Sequence, residues 1–203
     1  MEEGMATTAA PLGFRPVGYL GGRPYNGAVR EFRIRSTYAT RIGEGDVVRV
    51  GGSGDSSDEG YLMKETGTTS LSTPIGVFKG CRYTDPNTGQ IVFKNQYPGG
   101  ITASDIIAYV VDDPDAVFEA QANGAVVQAE LGENCALVQG SGTNTLTGMS
   151  SHGVNATTAT TNTLPFRVVG FADRPGSTVG DAFTDVHVAW NAGIHAYRAA
   201  TAR

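Results

Sequence analysis

From Val29 onward, apolar and polar residues alternate in short runs, the period-two signature of strands with one buried face. In Arg30 to Arg35, Phe32 and Ile34 fall on one side while Glu31, Arg33 and Arg35 fall on the other. Similar runs follow at Asp46 to Val50, Pro74 to Lys79, Gln90 to Tyr97, Asp105 to Val111 and Ala116 to Ala120, each bounded by Gly, Pro, Asn or Asp. The spacing predicts further strands over Cys135 to Gln139, Leu164 to Phe171 and Asp185 to Trp190, the last with Val186, Val188 and Trp190 on one face and His187 on the other. Ile106 to Val111 is apolar on both faces, as a doubly covered strand would be. Asp85-Pro86-Asn87-Thr88-Gly89 reads as a hairpin turn, with Gly89 free to take positive φ. The one helical candidate is Gly124 to Leu131, two turns at most, with Val127 and Leu131 four apart and Asn123 placed to cap it. Ile194 to Arg203 is too short and too weakly patterned to assign.

Three segments break the series. Residues 6 to 27 carry Pro11, Pro16 and Pro24 among five glycines, which forbids a helix and predicts an extended N-terminal arm over 1–27. Leu12, Phe14, Val17, Tyr19, Leu20 and Tyr25 give that arm reason to lie on a surface, its own domain's or a neighbour's. Residues 51–60 and 140–163 read as long polar loops. The second is expected to be a mobile surface segment or a ribbon ordered by a neighbouring subunit.

Composition sharpens this reading. In 203 residues there are 28 glycines and only three lysines, Lys64, Lys79 and Lys94, which suits many turns and disfavours a helical bundle. Residues 28–203 are therefore expected to form one β-rich domain, an all-β sandwich or barrel. The chain carries a net charge of −5, unevenly spread, with residues 1–50 at +2 and the remainder at −7. Solvated strand faces account for that asymmetry; a basic N-terminal segment lying on an acidic neighbour is the sharper alternative. An acidic total argues against nonspecific nucleic-acid binding. No stretch approaches a membrane span, and the acidic opening Met1 to Met5 is unlike a secretory signal. Met5 could itself be the natural start.

Candidate chemistry is sparse. Cys81 and Cys135 read as small reduced core residues, with a single bridge as the alternative. No phosphate loop is present, and Gly52-Ser53-Gly54 lacks the nucleophile-elbow frame because Asp55 stands where its last Gly should be. His152, His187 and His195 are expected as ordinary surface or strand residues, with a metal pair or catalytic base as the sharper reading. Asp112, Asp113 and Asp115 suit a strand-ending Asx turn better than a Ca²⁺ site, and Asp55, Asp58 and Glu59 form a second acidic loop without EF-hand spacing. No cofactor or metal is expected.

The arm and first strands, Gly13-Phe14-Arg15-Pro16-Val17, Gly22-Arg23-Pro24-Tyr25-Asn26-Gly27 and Gly45-Asp46-Val47-Val48, resemble the opening of capsid decoration (cement) proteins of tailed bacteriophages, especially short-tailed ones. Pro74-Ile75-Gly76-Val77-Phe78, Asp112 to Glu119 and Phe166 to Phe171 are similar to the same group. The resemblance implies a non-enzymatic, jelly-roll or tulip-like β protein with at most one short helix. Such proteins sit on the outer surface of the virion, bound to the major capsid protein and usually to copies of themselves as a dimer or trimer. They touch neither nucleic acid nor membrane. Carried onto the arm, it makes Phe14, Arg15, Pro16, Val17, Tyr19, Arg23 and Tyr25 the candidate contacts with the shell or a neighbouring subunit. A tail-associated or receptor-binding virion module is the alternative function, and a small hydrolase using Asp113, Asp115 and a histidine is a third.

Overall fold

The computed structural model describes residues 8–172 and 174–200. The start suggested at Met5 and the acidic opening lie outside them, as do Thr201 to Arg203. Thirteen strands follow in chain order: β1 (Arg15–Tyr19), β2 (Arg30–Arg33), β3 (Val47–Val50), β4 (Leu62–Lys64), β5 (Pro74–Thr84), β6 (Ile91–Lys94), β7 (Ile107–Val111), β8 (Ala116–Gln121), β9 (Asn134–Cys135), β10 (Leu137–Val138), β11 (Gly153–Val154), β12 (Phe166–Phe171) and β13 (Asp185–Trp190). They form a five-stranded sheet in the order β1-β8-β13-β12-β9, a six-stranded sheet in the order β2-β7-β5-β3-β4 with β6 also on β5, and a two-stranded ribbon β10-β11. Every pairing between these strands is antiparallel. Both large sheets are open, so the fold is an all-β sandwich and not a closed barrel.

The six-stranded sheet is a wall between two cores. Val47, Val77 and Val111 point to one side, where they meet Phe118, Phe166, Val188 and Trp190 of the five-stranded sheet. The neighbouring residues Val48, Phe78 and Val110 point to the other side. There the sheet is covered by irregular chain: Ile34, Tyr38, Ile42, Tyr97 and Ile106 fill the second core. The covering segments are bonded to each other, with Ile42 and Tyr97 exchanging backbone hydrogen bonds of 3.0 and 2.8 Å and the Tyr97 hydroxyl donating to the Tyr38 carbonyl at 2.7 Å. In β5 a bulge at Lys79 sets Phe78 opposite Val110 and Gly80 opposite Tyr109. Gly80, at φ +150°, fits there because a Cβ would meet the Lys94 carbonyl at 2.8 Å.

The strand pattern is realised with shifted ends. The run from Pro74 continues to Thr84, and Cys135 to Gln139 divides into β9 and β10, which belong to different sheets. The hairpin is as read, with Gly89 at φ +69° and its N–H donating to the Asp85 carbonyl at 2.8 Å. The helix over Gly124 to Leu131 does not form; a single 3₁₀ turn at Gln128–Glu130 stands in its place. The two residues that would have shared its apolar stripe, Val127 and Leu131, are exposed, so nothing packs on the face that would have stabilised a helix. Asn123 caps nothing and instead accepts a hydrogen bond from the Ala156 N–H at 2.8 Å.

The closing segment straps the six-stranded sheet. The Ala196 N–H donates to the Pro74 carbonyl at 2.9 Å, and the buried His195 Nε2 lies 2.9 Å from the Ile75 carbonyl. The Tyr197 hydroxyl donates to Asp112 at 2.7 Å, and Arg198 pairs with Asp115 at 2.8 Å.

Candidate functional site: the docked N-terminal arm

The segment expected as an extended arm lies on its own domain, where it supplies β1, the edge strand of the five-stranded sheet. In β1, Arg15 pairs with Glu119, Pro16 with Phe118, Gly18 with Val117 and Tyr19 with Ala116, and the register shift leaves Val17 as an extra residue. Pro16, which has no N–H to give, is tolerated because β1 lies at a sheet edge. Upstream, the Gln121 side chain continues the pairing: its Oε1 accepts from the Ala10 N–H at 2.7 Å and its Nε2 donates to the Thr8 carbonyl at 3.2 Å. Downstream, the Leu20 N–H donates to the Asp115 carbonyl at 2.8 Å, and Tyr19 and Arg23 close a turn through an N–H to carbonyl bond of 2.9 Å.

Phe14 cannot be a contact residue in this fold, which corrects the expectation for that position. It is 0 % exposed, stacks on Phe166 at 4.7 Å between ring centroids and meets the edge of Phe118 at 6.2 Å. The chain enters that position through Gly13, which crosses Gly45 so closely that a Cβ on Gly13 would lie 2.8 Å from the Gly45 Cα. Both glycines hold positive φ, +73° and +92°, which no other residue adopts without strain. The Phe14 N–H then donates to the Gly45 carbonyl at 3.0 Å.

The other six candidates lie together on this docked segment. Arg15, Val17 and Arg23 are exposed, whereas Pro16, Tyr19 and Tyr25 are half-buried. Arg23 covers the Tyr19 ring at 5.2 Å, and the Tyr19 and Tyr25 rings stand 6.2 Å apart. Partial burial, with the neighbouring Tyr19, raises the Tyr25 hydroxyl above its ordinary pKa. Leu12, Val17 and Leu20 put apolar surface into solvent along the same segment, each more than two-fifths exposed. Arg15 is held by Glu119, which also takes a two-pronged contact from Arg174 at 2.9 and 3.0 Å. Arg174 reaches Asp185 at 3.0 Å, and His187 Nε2 stands 3.9 Å from Glu119. Burial alone would raise the Glu119 carboxyl, but the Arg174 bonds and the two guanidinium charges overcome it and hold it below its usual range.

Sequence reasoning missed a second polar centre. Asp46, fully enclosed, accepts from the Gly43 N–H at 2.7 Å and the Ser150 hydroxyl at 2.5 Å, and pairs with Lys64 at 2.8 Å. His152 Nε2 is 3.3 Å from Asp46, and its Nδ1 accepts from the Val47 N–H at 3.2 Å. The cluster has no opening for a substrate: Asp46 and His152 are both 0 % exposed. What it does is pin residues 143–152 to the start of β3. The polar loop over 140–163 is thus ordered by its own chain, through this cluster, through β11 and through Glu44, whose backbone bonds Gly148 and Ser150 at 2.9 Å. The one available signal was an Asp beginning an otherwise apolar strand, Asp46-Val47-Val48.

The remaining candidates resolve into structural roles. His152 and His195 are buried, not surface residues, and His187 is half-buried on β13. Asp113 builds the Asx turn, accepting from the Asp115 N–H at 2.8 Å. Asp55 takes two bonds from Arg49 at 2.7 and 2.8 Å, and Asp58 pairs with Arg35 at 2.5 Å. Cys81 and Cys135 are free and buried, and burial pushes both thiols up to about 12. Among the described residues no three His, Cys, Asp or Glu side chains are gathered as a metal ion would require. Comparison with known proteins found no family model, no curated protein and no solved structure that matches this chain.

Proposed function

We propose that the protein is a structural virion component that binds the outer surface of the major capsid shell and braces the head against the pressure of packaged DNA. It acts through contact and converts no substrate. The observation that carries the reading is the docked arm. A segment fixed by backbone pairing, a buried Phe14 and the Gln121 clamp nevertheless holds Leu12, Val17 and Leu20 in solvent beside Arg15 and Arg23. Rigid presentation lowers the ordering cost of binding, and Arg with apolar neighbours is the chemistry of protein interfaces. Each contact is modest; repetition over a closed shell, in copies that associate as a dimer or trimer, supplies the bracing. The resemblance of the arm to that of decoration proteins points the same way.

The test is to mix the purified protein with undecorated heads. Deleting the whole arm would remove Phe14 from the core, so the informative variants are Val17→Asp and Leu20→Asp, whose side chains are exposed. The expected outcome is stoichiometric binding by the parent protein, a rise in the temperature at which heads release DNA, and loss of both effects in the double variant at unchanged melting temperature. Heads that neither bind the parent protein nor gain stability would refute the reading.

A further inference from the structure

The buried polar cluster at the start of β3 holds two groups that can react with each other. Asp46 is 0 % exposed and Lys64 8 %, and Lys64 Nζ stands 2.8 Å from Asp46 Oδ2. The strand pairing makes them neighbours: Lys64, the last residue of β4, lies opposite Val48 of β3, so Asp46, two residues upstream, is its diagonal partner. A charged pair is costly to keep in such an enclosure, and moving one proton from the ammonium to the carboxylate leaves a neutral amine against a carboxylic acid. An amine and an acid held at contact distance are the reactants of an amide bond, and fixed proximity replaces the high concentration that the reaction would need in water.

The other members of the cluster face the carboxyl oxygens. The Ser150 hydroxyl donates to Oδ1 at 2.5 Å and the Gly43 N–H to Oδ2 at 2.7 Å, while the Thr143 hydroxyl lies 3.3 Å from Oδ2. His152 is fully enclosed, and its Nε2 makes no hydrogen bond among the described residues although it stands 3.3 Å from Oδ1. Burial lowers its pKa to about 4 and keeps the ring neutral. Because Nδ1 accepts from the Val47 N–H at 3.2 Å, the one ring proton sits on Nε2, toward Oδ1. Oδ1 thus has two donors placed for the negative charge it would carry in a tetrahedral intermediate.

We propose that Lys64 and Asp46 join in an intramolecular isopeptide bond, formed by the folded chain without a partner or cofactor. The ion pair described above is the reactant. Once the ammonium has given its first proton to Oδ2, the Nζ lone pair attacks Cγ and the carbonyl π electrons move onto Oδ1. A second Nζ proton passes to Oδ2, directly or through the Thr143 hydroxyl. The Cγ–Oδ2 bond then breaks as the Cγ–Oδ1 double bond reforms, and one water leaves. One ammonium and one carboxylate have become one amide and one water, with nothing oxidised or reduced. The bond closes a loop around residues 51–60 and ties the three-residue edge strand β4 to β3. Both reacting groups belong to this chain, so the bond does not depend on the shell reading.

The intact mass of the purified full-length protein, denatured before measurement, is expected one water below the mass of its sequence. Trypsin should fail to cleave after Lys64, and the digest should contain a branched peptide joining the Asp46 and Lys64 segments. Lys64→Arg, which keeps the positive charge but lacks the reactive amine, should return the full mass. In newly synthesised protein, Ser150→Ala, its fold confirmed by Trp190 fluorescence, should lose water more slowly than the parent by about ten-fold or more. A parent protein of full sequence mass that trypsin cleaves after Lys64 overturns the proposal. So does a dehydrated but linear Asp46 peptide, which would be a backbone imide and not a cross-link. Equal rates in Ser150→Ala and the parent would overturn the part given to Oδ1.

Discussion

His152 ties the stability of the fold to pH. Burial pushes its pKa down to about 4; Asp46 opposes that shift and the Lys64 ammonium adds to it. An unfolded histidine titrates near ~6.5, so the unfolded chain takes up a proton over a range in which the folded chain stays neutral. The stability this contributes is full above about pH 6.5 and drains away as pH falls towards 4, by on the order of 2 kcal/mol at pH 5. His195, also lowered by burial, adds to the same slope. Replacing His152 by Asn keeps an acceptor for the Val47 N–H and removes the titration. Denaturant midpoints measured between pH 7.5 and 4.5 are expected to fall less steeply for His152→Asn than for the parent protein. Equal slopes would show that His152 is not the buried neutral base described here.

At the scale of elements, alternation found the strands that have one wet and one dry face, and it failed where order comes from far away. β1 carries Pro16 and Gly18, which read as arm and not strand; an edge position and a bulge at Val17 let them pair with β8. The stretch from Gly140 to Thr163 has no pattern of its own because Asp46, Glu44 and Asn95, all distant in sequence, hold it. The helix failed for the opposite reason, since its periodicity was local and no neighbour buried it. Of the arm candidates, six were legible as a surface segment, while Phe14 was indistinguishable from them by residue type alone. The sheet therefore predicts a sharp contrast within one strand segment. Phe14→Ala should cost about 3–5 kcal/mol in urea unfolding. Val17→Ala, two-fifths exposed, should stay within about 0.5 kcal/mol. Similar losses at the two positions would mean that the arm is not docked as described.

For the whole molecule, the arrangement of the six-stranded sheet decides how the protein comes apart. Adjacent residues on its strands, Val47 and Val48, Val77 and Phe78, Val110 and Val111, alternate between the two cores. Neither core can lose its packing while the wall between them stays flat and paired, because the wall is hydrophobic on both faces and would expose one of them to water. The C-terminal strap adds to the linkage, since His195 touches Trp190 at 5.4 Å between rings in the first core and bonds Ile75 of the second. Unfolding should therefore be a single cooperative transition despite two cores. Trp190 reports the first core, and the tyrosine near-UV signal of Tyr38, Tyr83 and Tyr97 is weighted to the second. The two signals are expected to lose half their amplitude at the same denaturant concentration, and a tyrosine transition clearly separated from that of Trp190 would show that the cores are independent. The proposed shell-bracing role would gain from this coupling: a load applied at the docked arm would reach the far side of the sandwich through one shared sheet, and the molecule would resist as a unit instead of yielding core by core.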